Sequence, residues 1–404
     1  MAWEVKKLGE VCEIVNGGTP DTKLKEYWDG KNLWITPKDM GKLDSIFVNE
    51  TERKITNLGL KNSSAKLLPI NSIILSSRAP IGHLAINKKP MSTNQGCKGI
   101  VPKKVLDFIF LYYFLKKSVE LLNSLGSGTT FKELSGSKLA EVLIPLPPIS
   151  EQKRIVAILD EAFKSITKAK ENAEKNLKNA KEIFESYLQS IFENKGEGGE
   201  EKRLGEVCEL KHGFAFNGND FNTDYGDDNP IVLTPGNFHE SANLYFTPKN
   251  TKRYKGKVMN DWIFNKGDLV VVMTDLSSQM KILGKPAFID HENILHNQRI
   301  GRFIFKTDEI NKRFIYYYLQ TQTYLTKIKE TATGTMVKHT APKRILENKV
   351  FIPTVHDQNI IVAKLDALSQ ETKKLEAIYN QKLSDLEELK KSYLFSLRID
   401  RVLV

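Results

Sequence analysis

The sequence predicts an α+β fold built twice, with two globular parts, each followed by a long helix, and the two helices pairing antiparallel as a coiled coil. The prediction rests on three features: a repeat that runs the length of the chain, turn-rich stretches with short apolar runs, and two long segments with apolar residues at threes and fours. A repeat sets the architecture first, because each copy must solve the same packing problem.

The repeat opens at Leu8-Gly9-Glu10-Val11-Cys12-Glu13, which returns unchanged as Leu204-Gly205-Glu206-Val207-Cys208-Glu209, an offset of 196. Later echoes keep the order while the offset grows to 206. Ile35-Thr36-Pro37 answers to Leu233-Thr234-Pro235, and Asn94-Gln95 to Asn297-Gln298. Gly128-Thr129 and Lys132 answer to Gly334-Thr335 and Lys338. Gln152 and Asp160 return as Gln358 and Asp366, and Ser186-Tyr187-Leu188 as Ser392-Tyr393-Leu394. Ile144-Pro145 is matched with Ile352-Pro353, which makes the second junction to the helix two residues shorter. The ends of the unit match well and its middle poorly, so one frame carries two contents, and two specificities are expected.

Each copy divides in two, giving residues 1–148 and 200–353 as globular parts and 149–199 and 354–404 as helical ones. Leu33-Trp34-Ile35, Ser72–Leu75 and Gly99–Val101 read as strands in the first globe, and Ile231–Leu233, Asp268–Val272 and Arg302–Phe305 in the second. A helix is predicted over Asp107–Leu125, with its counterpart over Glu309–Lys329.

From Ser150 to Asn194 there is neither Pro nor Gly, and Ile155, Leu159, Ile166, Ala173, Ala180, Ile183 and Tyr187 form a helical stripe. The second helix is expected from His356 to Leu397, with Ile361, Leu365, Leu375, Leu386 and Tyr393 in its stripe. Each helix would span about 60 Å, well beyond a globe of about 35 Å, so a helical partner is needed. The first stripe has many alanines, Ala162, Ala169, Ala173 and Ala180, and the second many leucines, so small can face large. Chain order then makes the pair antiparallel and relates the repeats by a pseudo-two-fold axis.

Sixty Lys and Arg against 49 Asp and Glu leave a charge of +11 and a pI near 9.2, which favours a polyanion partner through counterion release. Mean hydropathy is −0.35, and no run approaches the roughly 18 apolar residues of a membrane span. The start lacks an apolar signal core and the three cysteines make no framework, so a cytoplasmic protein without membrane contact is expected. Cys12 and Cys208 occupy equivalent positions and read as small buried apolar residues.

Motifs for chemistry are missing: no G-x-x-x-x-G-K-[ST] loop for ATP, no metal-ligand spacing, and no Gly-x-Ser-x-Gly elbow. The chain is expected to recognise and assemble, and not to catalyse.

Leu-Gly-Glu-Val-Cys at the head of each unit and Ile144-Pro-Leu-Pro-Pro-Ile149-Ser-Glu-Gln152-Lys-Arg-Ile155 leading into the helix resemble the specificity subunit of type I restriction-modification systems. The resemblance covers nearly the whole chain and implies two target-recognition domains alternating with two helical spacers. It implies an asymmetric, bipartite double-stranded DNA site, one half read by each domain. It also implies two modification subunits carrying S-adenosylmethionine and methylating adenine N6, and restriction subunits carrying ATP and Mg, with no cofactor in this chain. Base flipping by the modification subunits would leave this chain without need of an adenine pocket.

Sequence readers aim Arg, Lys, Asn or Gln at base edges and donors at phosphates. Candidates in the first domain are Lys38, Arg78, Asn94, Gln95, Lys98, Thr129 and Lys132. In the second they are Thr274, Asp275, Asn297, Gln298, Arg299, Thr335 and Lys338. The repeated Asn-Gln could equally brace a loop, and Thr129, Lys132, Thr335 and Lys338 suit phosphate contacts, with a helix cap or loop brace as the alternative. A basic coiled-coil scaffold, an RNA binder and a modification-only system are the alternatives. A defined duplex site with a salt-dependent affinity separates the first two from a duplex reader.

Overall fold

The structure is a computed structural model that describes residues 3–128, 132–194, 198–222 and 229–396. It divides into two compact units, Met1–Ala173 with Gln381–Val404, and Glu174–Asn380.

The first unit is organised by a five-stranded sheet in the order Cys12–Asn16, Cys97–Pro102, Ile73–Ser77, Ile81–Asn87, Phe47–Val48. Its central strand is buried on both faces, as period-two alternation allows. Ile73 and Leu75 face a core with Phe110, Phe114 and Leu139, while Ile74 faces a second core with Leu33, Ile35 and Met91. The second core is closed by a three-stranded sheet, Arg53–Ile55, Trp28–Ile35 and Met91–Thr93, whose last pair is parallel. The second unit repeats the plan. Cys208–His212, Ile300–Phe305, Leu269–Val272 and Pro286–Phe288 form its main sheet, and Ile231–Leu233 pairs in parallel with Ile294–His296.

The helix expected over Asp107–Leu125 is two helices, Phe108–Lys117 and Val119–Leu125, and that over Glu309–Lys329 is Lys312–Tyr318 and Gln322–Glu330. Asp107 caps the first, accepting from the Ile109 and Phe110 amides, and Ser118 sits at the break. In the second copy Thr321 makes the break, capping the next helix through the Tyr324 amide.

An edge ribbon closes each unit, Glu4–Lys7 with Leu143–Leu146 and Glu200–Arg203 with Lys349–Ile352. These registers correct the matching of the junctions. Glu4 faces Leu146 and Glu200 faces Ile352, so Leu146-Pro147 is the equivalent of Ile352-Pro353. The offset there is the same 206 as at Gln152 and Gln358, and the second junction has lost nothing. The Ile-Pro pair recurs two residues out of step, which misled the alignment.

The long helices run over Ile149–Glu193 and Val355–Ser396, within a residue of expectation at their N-termini; Leu397 lies outside the described residues. In the first unit Lys170 pairs with Glu387 at 2.7 Å, and Leu394 joins the core that holds Ile155, Leu159 and Phe163. One segment thus ascends where the other descends, and the pairing is antiparallel. In the second unit Leu188, Phe184 and Ile191 share a core with Val362 and Leu365. The stripe therefore departs from expectation at its end. Ile183 and Tyr187 are 61% and 39% exposed, and Phe184 and Leu188 take the inner positions, with Phe184 against Tyr317.

Gln152 and Gln358 are buried and fasten each globe to its helix. Gln152 Oε1 accepts from the Asp107 amide at 2.8 Å, and its Nε2 donates to Val105 O and Pro147 O. Gln358 does the same for the Asn311 amide, Glu309 O and Pro353 O. About two turns on, the Tyr113 hydroxyl donates to Asp160 and the Tyr317 hydroxyl to Asp366, both at 2.5 Å. Cys12 and Cys208 are buried, and burial pushes both thiols up to about 12, which leaves them unreactive. No helix among the described residues is long and apolar enough to cross a membrane.

Candidate nucleic-acid interface

In each unit the central strand delivers its C-terminal residues between two loops, one holding the echoed Asn-Gln pair and the other the echoed Gly and Lys. Ser77 N donates to Gly96 O at 2.8 Å and Ser77 O accepts from Leu134 N at 2.9 Å. Met273 is held identically, by Arg299 O and Thr340 N, both at 2.9 Å. The next residues, Arg78 and Thr274, pair across to Glu133 and His339. The far loop closes on itself through Ser127 with Glu133, and through Thr333 with His339. Asn94-Gln95 with Gly128 and Lys132, and Asn297-Gln298 with Gly334–Lys338, thus lie in the loops that flank one strand end in each unit.

The near loop is a braced turn. Asn94 Oδ1 accepts from Gly96 N at 2.7 Å, and Asn297 Oδ1 from Arg299 N at 3.0 Å. Asn94 Nδ2 also donates to Thr19 Oγ1, and Asn297 is 2% exposed. Both amides act as turn braces. A glycine lets the backbone approach this turn: a Cβ on Gly17 would meet Asn94 O at 2.0 Å, and one on Gly213 would meet His296 O at 2.2 Å. That echo of Gly17 and Gly213 is a frame signal that sequence reading passed over. Beyond the brace, Gln95 and Arg299 are exposed, and Gln298 Oε1 is buried without a hydrogen-bond partner.

The other candidates divide between surface and frame. Lys38 lies on the short helix Pro37–Met40, 3.2 Å from Glu52. Glu133 sits between Arg78 and the buried Lys98, 3.9 and 3.8 Å away, so both cations share one carboxylate. Thr274 is buried and its hydroxyl meets His339 Nδ1 at 3.0 Å. Asp275 is buried too, its carboxylate accepting from Ser277 N and Ile282 N at 2.8 and 2.9 Å. Lys338 Nζ turns back to Gly334 O at 2.8 Å, while Thr335 and Lys132 are exposed. Thr129 lies outside the described residues.

Gln298 and Arg299 line a groove of about 480 Å³ with Lys249, Asn250, Lys252 and Leu276. Two ammonium groups, a guanidinium and two amides around an open groove suit phosphates and base edges together. Lys249, Lys252 and Leu276 carry no motif and do not recur, so sequence alone gives no reason to select them.

Behind the turn, His296 is 2% exposed and its Nε2–H donates to Ile300 O at 2.9 Å. Burial pulls its pKa from 6.5 down to about 4. The unfolded chain takes up a proton below 6.5 that the folded one refuses until about 4. Stability is therefore unaffected above pH 6.5 and falls as pH drops from 6.5 toward 4, by up to about 3 kcal/mol. Urea midpoints near pH 7.5 and near pH 5 check this, and a His296→Gln variant should lose much of the difference.

A sequence model described as the type I restriction modification DNA specificity domain matches residues 2–177 and again 196–385. The chain is 38% identical over 227 residues to the MjaIX specificity subunit of Methanocaldococcus jannaschii, covering 52% of each chain. It is 25% identical over 387 residues to the MjaVIII specificity subunit of the same organism, 91% of this chain and 86% of that one. The EcoR124I/EcoR124II specificity subunit of Escherichia coli matches at 32% over 197 residues, 47% of this chain and 48% of that one. The match thus spans about half the length of the MjaIX and EcoR124I/EcoR124II relatives and most of the MjaVIII one. Among solved structures, a chain from a study of assembly and conformational transition in the type I R-M system superposes with a TM-score of 0.75 at 19% identity, covering 97% of this chain and 96% of that one. The HsdS subunit of Thermoanaerobacter tengcongensis superposes with a TM-score of 0.62 at 18% identity, over 97% and 95%. The fold is shared with both.

Proposed function

Because the chain belongs to the type I restriction modification DNA specificity family, its model matching both repeats, we propose that this protein selects the DNA site of a type I restriction-modification complex. Each globular domain reads one half of a split duplex site. The heads differ at their surfaces, so the halves differ and the site is asymmetric. Adenine methylation belongs to modification subunits, and ATP-driven translocation and cleavage to restriction subunits, with this chain as their scaffold. The observation that carries the reading is the distribution of the repeat: echoed residues such as Asn94 and Asn297 brace the loops, while the residue after each Asn-Gln pair changes from Gly96 to Arg299.

The long helices support two copies of one partner. Ile183 and Tyr187 are exposed on the first helix, and Leu389 and Tyr393, 43% and 36% exposed, occupy the equivalent positions on the second. What reads different sequences diverges between the copies, whereas this face recurs. A modification subunit docking at each is the reading it supports.

Arg299 and Lys252 give the direct test. Arg299→Ala should weaken specific duplex binding by about 1–3 kcal/mol and relax one base pair of one half-site only. Lys252→Ala should weaken all duplexes alike and reduce the slope of log affinity against log salt by about one. Equal loss on every sequence for Arg299→Ala would remove it from base reading. Preference for single-stranded RNA over duplex would favour the RNA-binding alternative.

A further inference from the structure

We propose that Met336 is a specificity-determining contact of the second head, an apolar tip that reads the C5-methyl group of a thymine in the major groove. The proposal rests on the reading of this chain as a duplex reader and adds a base to it.

The tip is built by the far loop. Thr333 and His339 close the loop with two backbone hydrogen bonds of 3.0 and 2.9 Å, and Lys338 Nζ ties across it to Gly334 O. Gly334 adopts φ +97°, and a Cβ there would lie 2.0 Å from Val337 O, so only glycine fits. A loop this constrained presents its tip in one place. That tip is Met336, 80% exposed, with Val337 37% exposed beside it.

The tip adjoins the groove. Asp275 pairs with Lys338 as the last rung of the ribbon, and beyond it the opposite strand continues into Leu276, 66% exposed. Leu276 lines the groove with Gln298 and Arg299, and the Asp275 carboxylate holds the segment that follows it. Leu276, Gln298 and Arg299 thus share one surface with Lys249 and Lys252, and the register of the ribbon sets Val337 and Met336 at its edge beside Leu276. A protein partner has no need of that ring of cations. A duplex does, and its major groove offers one apolar group, the thymine methyl.

The repeat points the same way. Gly128, Thr129 and Lys132 recur as Gly334, Thr335 and Lys338, but the two residues between them are Thr130-Phe131 in one copy and Met336-Val337 in the other. A loop that keeps its frame and changes its tip is what two heads reading different sequences require.

The test uses the full chain assembled with its modification partner, and a duplex bearing the motif found by methylation mapping. Thymines of the second half-site are replaced one at a time by deoxyuridine, which removes only the methyl. Wild type should lose about fourfold in affinity at one position, the worth of one buried methyl group. Met336→Ala should bind the thymine and uracil duplexes alike, and Met336→Leu should restore discrimination. Uniform weakening of every duplex by Met336→Ala, an unchanged thymine-to-uracil ratio, or a second half-site without thymine would overturn the proposal. So would full duplex affinity combined with loss of the partner, which would make the tip a protein contact. A wild-type complex with no preference for any defined duplex would instead remove the duplex reading itself, and the proposal with it.

Discussion

Exchanging residues 1–148 for the first domain of another family member should replace one half of the recognised site and leave the other half and the gap unchanged. The effect is the largest expected from any change to this chain, because a specific half-site is worth several base pairs at about 1–3 kcal/mol each. The seam matters. The first globe grips its helix through the Asp107 amide on Gln152 and the Tyr113 hydroxyl on Asp160, and its core includes Ile155, Leu159 and Leu394. A graft must bring an equivalent tyrosine and helix start. Methylation motifs of the parent and the chimera check the result. A change in both halves would end the one-head, one-half-site account.

Gln152→Ala and Gln358→Ala should each destabilise one unit by about 3 kcal/mol. Each glutamine is at most 1% exposed and makes three hydrogen bonds, one accepted and two donated. Truncation strands an amide and two carbonyls where water does not reach, and each stranded group costs about 1–3 kcal/mol, offset where the site relaxes. A glutamate in the same place accepts but cannot donate, and sets a carboxylate against two carbonyls, so Gln→Glu should be at least as damaging. Denaturant midpoints followed separately for each unit measure this. Midpoints within error of wild type would show that the echoed glutamine does not fasten the globe to the helix.

These glutamines show what the sequence could and could not reveal. Their recurrence was legible, and so were the two long helices, because over forty residues of periodic apolar spacing without Pro or Gly admit little else. Ser72–Leu75 read as a strand, but its central place, with Ile73 and Leu75 facing one core and Ile74 another, came only with the structure. The breaks at Ser118 and Thr321 were hidden, since Lys116-Lys117-Ser118 and Gln320-Thr321-Gln322-Thr323 read as the exposed face of one helix until the bonds from Ser118 Oγ to Phe114 O and from Tyr324 N to Thr321 are seen. Ile183 and Phe184 are adjacent, so periodicity supports either stripe, and only the aromatic packing against Tyr317 decides. The junction was mismatched because Ile-Pro occurs twice at nearly the same place, and only strand register separates the two.

The candidate site was legible in a biased way. Internal repetition selects what both copies need, and both copies need the same frame. Asn94 and Asn297 were selected in that way and are bound into turns, and Thr274 and Asp275, taken from the turn parallel to that of Arg78, are buried. Residues that tell one sequence from another have no reason to recur, which is why Lys249, Leu276 and Met336 left no trace in the repeat. For a two-headed reader the informative positions are the unmatched ones lying between matched ones.

The most direct test of the account is a map of methylated adenines in a genome where this chain is expressed with its modification partner. The account predicts an asymmetric motif in two parts, separated by a fixed unspecified gap and modified once in each half. An active, assembled complex that leaves no such motif would contradict it and return the chain to the role of a basic scaffold.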